Sequence, residues 1–145
     1  PCCSGQDEDP PHILNCPAPS ATLRWEKALT VLEVWMTAHH TMPELMTALL
    51  RCLHEWKHPN PSRRFAPAAI TTRYGLWAAI LEQDDIGWYN FIMGRPSIRW
   101  RDVQHRYYQW LQRRNTGKTW LQALIKNVWE VSWDMWDHRH EVRTT

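Results

Sequence analysis

Residues 119–141 read TWLQALIKNVWEVSWDMWDHRHE, and this stretch decides the fold class. Leu121, Leu124, Ile125, Val128, Ser132, Met135 and Trp136 recur at three- and four-residue intervals. That spacing puts side chains on one face of an α-helix. The segment is the longest with a single period in the chain. Nowhere does an apolar/polar alternation persist long enough to read as a strand, and there is no internal repeat.

Working back from it, Asn115-Thr116-Gly117 breaks a preceding helix that starts near Ser97 and uses Trp100, Val103, Tyr107, Trp110 and Leu111. Before that, Asp84 or Asp85 is placed to cap a short helix through Trp88 and Phe91, ending at Gly94. A further helix from about Ala68 carries Ile70, Tyr74, Trp77, Ala78 and Leu81. Residues 59–67, with Arg63 and Arg64, form a linker opened by Pro59-Asn60-Pro61. Thr41-Met42-Pro43-Glu44 matches a capping box ahead of Leu45, Leu49, Leu53 and Trp56. Ser20 offers the N-cap of a first helix with Trp25, Ala28, Leu29, Leu32, Trp35 and Met36 on its inner face, running to about His39. Residues 1–19 hold five Pro, one Gly and the acidic run Asp7-Glu8-Asp9, which is loop composition. The expected architecture is all-α: a bundle of five to six helices over 20–145, preceded by an irregular N-terminal Cys/His knuckle over 1–19.

A chain of 145 residues is long enough for one domain with one sizeable core. Eleven Trp residues imply either a core built on indoles or a surface that stacks on something flat; the first is the default, because a Trp buries so much area. No apolar run approaches the roughly 18–20 residues needed to cross a bilayer, and no basic-then-apolar signal segment opens the chain, so no membrane partner is expected. The opening on Pro1 and a Cys pair reads as a fragment of a longer protein. Three of the four Cys cluster beside a His, and the remainder builds a core without staples. A reducing, intracellular setting (cytoplasm or nucleus) is the matching expectation.

Cys2, Cys3, His12 and Cys16 are the candidate metal ligands. Thiolates and imidazole in tetrahedral array suit zinc, and the spacing Cys3-x8-His12-x3-Cys16 fits a small knuckle in which the ion is structural. Adjacent residues such as Cys2 and Cys3 rarely serve the same ion. The site is therefore either a four-ligand one through Cys2 or a three-ligand one completed by a Cys preceding Pro1. The plain alternative is a Cys-bearing tail without metal.

The second constellation is positive charge. The formal net charge is only +2, but Arg95, Arg99, Arg101, Arg106, Arg113, Arg114 and Lys118 crowd residues 95–118 against Asp102 alone, a local excess of +6. Interleaved with Trp100, Tyr107, Tyr108 and Trp110, they form a candidate nucleic-acid-binding segment, cations on phosphates and rings on exposed bases. The competing reading is an amphipathic helix with a solvated basic face and its aromatics in the core.

Other motifs carry less. Gly117-Lys118-Thr119 ends like a P-loop, but Gln112 stands where the earlier Gly belongs and no strand precedes it. His54 and His58 lie one turn apart and could bind a metal, but no nearby carboxylate completes the site, and their place before Pro59 suggests helix capping. Asp134, Asp137, His138 and His140 resemble one half of a di-metal helix without a facing partner. No nucleophile with a paired base is visible, so neither catalysis nor a small-molecule substrate is expected.

Two stretches resemble proteins encoded by retrotransposons. Cys3, Glu8-Asp9, His12-Ile13-Leu14 and Cys16-Pro17 are similar to the zinc knuckle beyond the reverse transcriptase of non-LTR-type elements. Ile86-Gly87-Trp88, Gly94-Arg95-Pro96-Ser97, Trp100 and Trp133-Asp134-Met135-Trp136-Asp137-His138-Arg139 look like the Trp-rich C-terminal region of element-derived proteins. The resemblance implies a non-catalytic region downstream of a polymerase, helping to hold template RNA or DNA. The expectation is an accessory domain of a mobile-element protein that contacts nucleic acid through its basic helix and belongs to a larger polyprotein. The alternative is a protein–protein assembly module that uses Trp-rich apolar faces.

Overall fold

The computed structural model describes residues 16–59 and 73–144, with side chains through His138. Six α-helices and no strand occur among the described residues: α1 (Pro19–Ala38), α2 (Pro43–Lys57), α3 (Leu76–Ile86), α4 (Trp88–Ile92), α5 (Arg99–Trp110) and α6 (Gly117–Thr144). A 3₁₀ turn, Arg73–Gly75, leads into α3. The all-α bundle expected from the periodicity is what the chain forms.

The long helix α6 is the spine and packs along α1 and α5, with α4 near its middle. Its buried face is Trp120, Leu124, Val128, Val131, Ser132 and Met135, with Leu121 at the margin. The inner faces of α1 (Trp25, Ala28, Leu29, Leu32, Met36) and α2 (Leu45, Leu49, Leu53) are those read from sequence. Indoles do supply much of the core: Trp25 and Trp100 are fully buried, and Trp88 packs on Phe91 and Trp100.

Several boundaries differ from the sequence reading, each for a local reason. Ser20 lies inside the first turn of α1, since Pro19 already occupies a first-turn position. Thr41 caps nothing: its hydroxyl is buried and accepts from Trp120 Nε1 at 2.9 Å, while Met42 stands at the N-cap of α2. Asp84 is likewise not a cap, because α3 continues to Ile86 and the Asp84 carboxylate accepts from Trp88 Nε1 at 2.8 Å. Helix α6 begins at Gly117, and Thr116 serves it by accepting from Thr119 N at 3.2 Å.

Three helix ends close in the same way. After α1, α4 and α5, a residue with positive φ (His40 at 55°, Gly94 at 88°, Gln112 at 58°) is followed by one whose N–H reaches back five positions. The bonds are Thr41 N to Met36 O (3.0 Å), Arg95 N to Asn90 O (2.8 Å) and Arg113 N to Tyr108 O (3.0 Å). This is the Schellman arrangement, here with glycine at only one of its three left-handed positions.

Two buried glutamines tie the elements together. Gln83 of α3 accepts from Ser97 N (2.6 Å) and Trp100 Nε1 (3.0 Å) and donates to Gly87 O (3.1 Å). Gln104 of α5 accepts from Met42 N (2.9 Å) and donates to His40 O (3.0 Å), while Tyr108 OH donates to His39 O at 2.7 Å. These bonds satisfy backbone groups that water no longer reaches. Burial pushes the Tyr108 phenol above its ordinary pKa, so it remains a donor throughout the physiological range.

Candidate nucleic-acid interface

Helix α5 turns Trp100, Val103, Gln104 and Tyr108 inward. At about 100° per residue, positions 99, 106 and 110 fall within some 40° of one another, in a stripe along the flank of the helix beside Val103. Arg99, Arg106 and Trp110 are all exposed there. Trp110, which the periodicity put on the helix stripe and the nucleic-acid reading among the stacking rings, is 62% exposed. Angle alone does not explain this, since position 110 lies only about 20° from buried Val103; Trp110 is the last residue of α5. Beyond the helix end, Arg113 and Arg114 are exposed in the turn, and exposed Lys118 follows in the first turn of α6.

The seven candidate cations are thus not one surface. Arg99, Arg106, Arg113, Arg114 and Lys118 follow the exposed stripe and its continuation. Arg101 is about 200° around α5 from Arg99, half-buried, and pairs with Asp102 at 3.1 Å. Arg95 lies ahead of the helix and donates to Asn90 Oδ1 at 3.2 Å. Arg99 pairs with Glu82 at 3.3 Å, but a solvent-exposed pair of this kind contributes about 0–1 kcal/mol and yields readily to a phosphate. Arg113 donates to Asn115 Oδ1 at 3.1 Å, a neutral contact that leaves its charge uncompensated.

Sequence reasoning missed Arg73. Its guanidinium lies 4.8 Å from the Trp110 ring centroid, 5.5 Å from Tyr107 and 4.8 Å from Tyr74. It also meets Glu44 of α2 at 3.7 Å. Tyr107 and Trp110 stack at 5.9 Å. Each cation–π contact at such a site contributes about 0.5–1 kcal/mol, and the indole itself is held by its own contact with Arg73 and by the Tyr107 ring. Tyr74 adopts φ 57°, a left-handed conformation unusual for an aromatic residue, and so brings its ring into this cluster at a cost in backbone strain. Only the i, i+7, i+11 spacing of Arg99, Arg106 and Trp110 could have signalled the stripe; nothing local marks Arg73.

The other candidates are placed as follows. Cys2, Cys3 and His12 lie outside the described residues. Cys16 is buried with the core, and its carbonyl accepts from the buried Lys57 Nζ at 2.8 Å. Asp134 and Asp137 both face Arg24 of α1, at 3.3 and 3.9 Å, so that cation supplies what a metal would. Gly117 opens a helix, and its N–H donates to His105 Nδ1 at 3.0 Å, as no phosphate loop would arrange it. The Cys52 thiol is buried and pushed well above its ordinary pKa, mainly by desolvation, which makes it inert as a nucleophile. His54 and His58, left without a carboxylate in the sequence reading, meet Glu26 of α1. No helix among the described residues is long and apolar enough to cross a membrane.

Compared with protein-family models, curated proteins and solved structures, the chain gives no match.

Proposed function

We propose that this domain is a non-catalytic accessory module that holds single-stranded nucleic acid along the exposed stripe of α5. The observation that carries the reading is the exposed line Arg99–Arg106–Trp110, continued by Arg113, Arg114 and Lys118. Five cations track a phosphate backbone, and a fixed, accessible indole offers one base a stacking platform worth about 1–3 kcal/mol. Such a surface is indifferent to sequence, because it presents charges and a ring and no base-edge code. The likeness of residues 3–17 to knuckles beyond reverse transcriptases supports a mobile-element parent and a structural zinc ahead of the bundle.

The test is titration of fluorescent single-stranded RNA and DNA across a salt series. Five phosphate contacts give a log–log salt slope of about −3.5, hence an affinity loss of about 100-fold between 50 and 200 mM salt. Arg99→Glu with Arg106→Glu removes at least two contacts and flattens the slope by about 1.4. Binding that ignores both the salt and the double substitution would refute this assignment.

A second reading, self-association, is favoured by Trp129 and Trp133. They stand one turn apart on the outer side of α6, at 50% and 62% exposed. A paired indole patch of this kind is the apolar surface through which two copies would meet. It predicts a dimer in sedimentation velocity that persists in high salt and dissociates on Trp129→Ala with Trp133→Ala. A monomer across the concentration range rules it out.

A further inference from the structure

We infer that Glu26 of α1 with His54 of α2 and His58 at the C-cap of α2 forms a binding site for one divalent transition-metal ion, with zinc as the natural occupant. The three side chains each offer one ligand atom, and these atoms lie within 4.8 Å of one another. Their chemistry is the two-imidazole, one-carboxylate set that zinc and its neighbours in the first transition row accept. In a tetrahedral site with bonds of about 2.0–2.1 Å, ligand atoms stand about 3.3–3.5 Å apart. All three residues are exposed, so side-chain rotation alone can close the remaining distance.

The placement of the site has structural causes. His54 and His58 are i and i+4 at the end of α2, with ring centroids 5.0 Å apart, the spacing at which helical side chains share a face. His58 ends the helix, its N–H bonded to His54 O at 2.8 Å. The carboxylate comes from the neighbouring helix, 28 positions earlier in the chain. The register between the two helices is set next to the site by the Trp25–Trp56 pair, whose centroids are 5.8 Å apart. Lys57 reinforces it, its ammonium 5.6 Å from the Trp25 ring centroid. Trp25 precedes Glu26, and Trp56 and Lys57 lie between the two histidines, so the packing that builds the core also aims the ligands.

An open cleft of about 710 Å³ borders the histidines, lined also by Arg51, Glu55 and Pro59. It leaves room for water as the remaining ligand. The ion would act as a clip between α1 and α2, separate from the α5 stripe. It is also separate in sequence from the Cys2, Cys3 and His12 cluster, and its ligands include no thiolate.

The experiment is a titration of the full chain with Co2+, followed by its visible spectrum, and with Zn2+, followed by Tm. Cobalt held by nitrogen and oxygen gives d–d bands without the intense near-ultraviolet thiolate charge transfer that a Cys site adds. Wild type and Cys2→Ser with Cys3→Ser should both take up the thiolate-free ion, while His54→Ala with His58→Ala should not. Glu26→Gln should weaken binding about tenfold or more. Because only the folded chain brings Glu26 to the histidines, zinc at a hundredfold excess over its Kd should raise Tm by about 5–10 °C, an effect lost with the histidines. The inference is overturned if the thiolate-free ion survives His54→Ala with His58→Ala, or if it never binds wild type. Indifference to Glu26→Gln also overturns it, since the histidine pair would then act alone. Glu26, His54 and His58 are exposed and lie outside the core, so their substitution leaves the packing intact, and the fold of every variant is checked by its circular dichroism.

Discussion

Gln83→Leu is expected to lower the stability of the domain by about 3–5 kcal/mol, read as a fall in the urea midpoint without a change of slope. The substitution hardly alters side-chain volume, so packing is not the reason. Gln83 accepts from both Ser97 N and Trp100 Nε1, and leucine leaves those two buried donors with no acceptor. Each buried polar group abandoned in this way costs about 1–3 kcal/mol. The Gly87 carbonyl loses its donor as well, although it sits nearer solvent. A loss of this size is a large part of the roughly 5–15 kcal/mol that a domain possesses. A cost below about 1 kcal/mol would show that other groups replace the amide, and the clasp between α3 and α5 would have to be reassigned.

Gly117→Ala is expected to cost about 2–3 kcal/mol, although alanine is the better helix former by about 1 kcal/mol. A Cβ at position 117 would run into the Arg101 carbonyl oxygen and stand 2.7 Å from His105 Cβ. The first obstacle is backbone inside α5 and cannot swing aside. The start of α6 must then retreat from α5, which weakens the Gly117 N–H bond to His105 Nδ1 and loosens Trp120 one turn further on. Thermal unfolding of the variant decides the matter, and an unchanged or raised Tm would mean that the two helices have room to part. The glycine that resembles the end of a phosphate loop is therefore explained by close helix packing.

How much of this was legible in the sequence depended on which physical signal each feature uses. Apolar periodicity is read by eye, so the inner faces of α1, α2 and α6 follow directly from Trp25, Leu32, Leu49 or Leu124. Helix ends were harder. Gly94 announces its turn, whereas His40 and Gln112 adopt the same left-handed geometry with no glycine to mark it. Thr41 and Asp84 carry the side chains of caps but spend them on indole N–H groups far away or one turn on. Trp110 falls on the same side of α5 as buried Val103, so the period by itself does not reveal that the last residue of the helix is exposed. Arg73 and Glu26 were invisible for a different reason: both acquire their meaning from partners on other helices, and no spacing rule spans a tertiary contact.

The clasp of Gln104 and Tyr108 on His39, His40 and Met42 bears on how the chain can fold. The α1–α2 hairpin satisfies its own corner only in part; the partners of Met42 N and of the His39 and His40 carbonyls arrive sixty-odd positions later, from α5. Closing so long a loop is entropically unfavourable until the bonds it permits are made, and the corner stays hydrated until then. The segments on either side of residues 60–72 are consequently halves of one cooperative unit, each incomplete without the other, and not two modules joined by a linker.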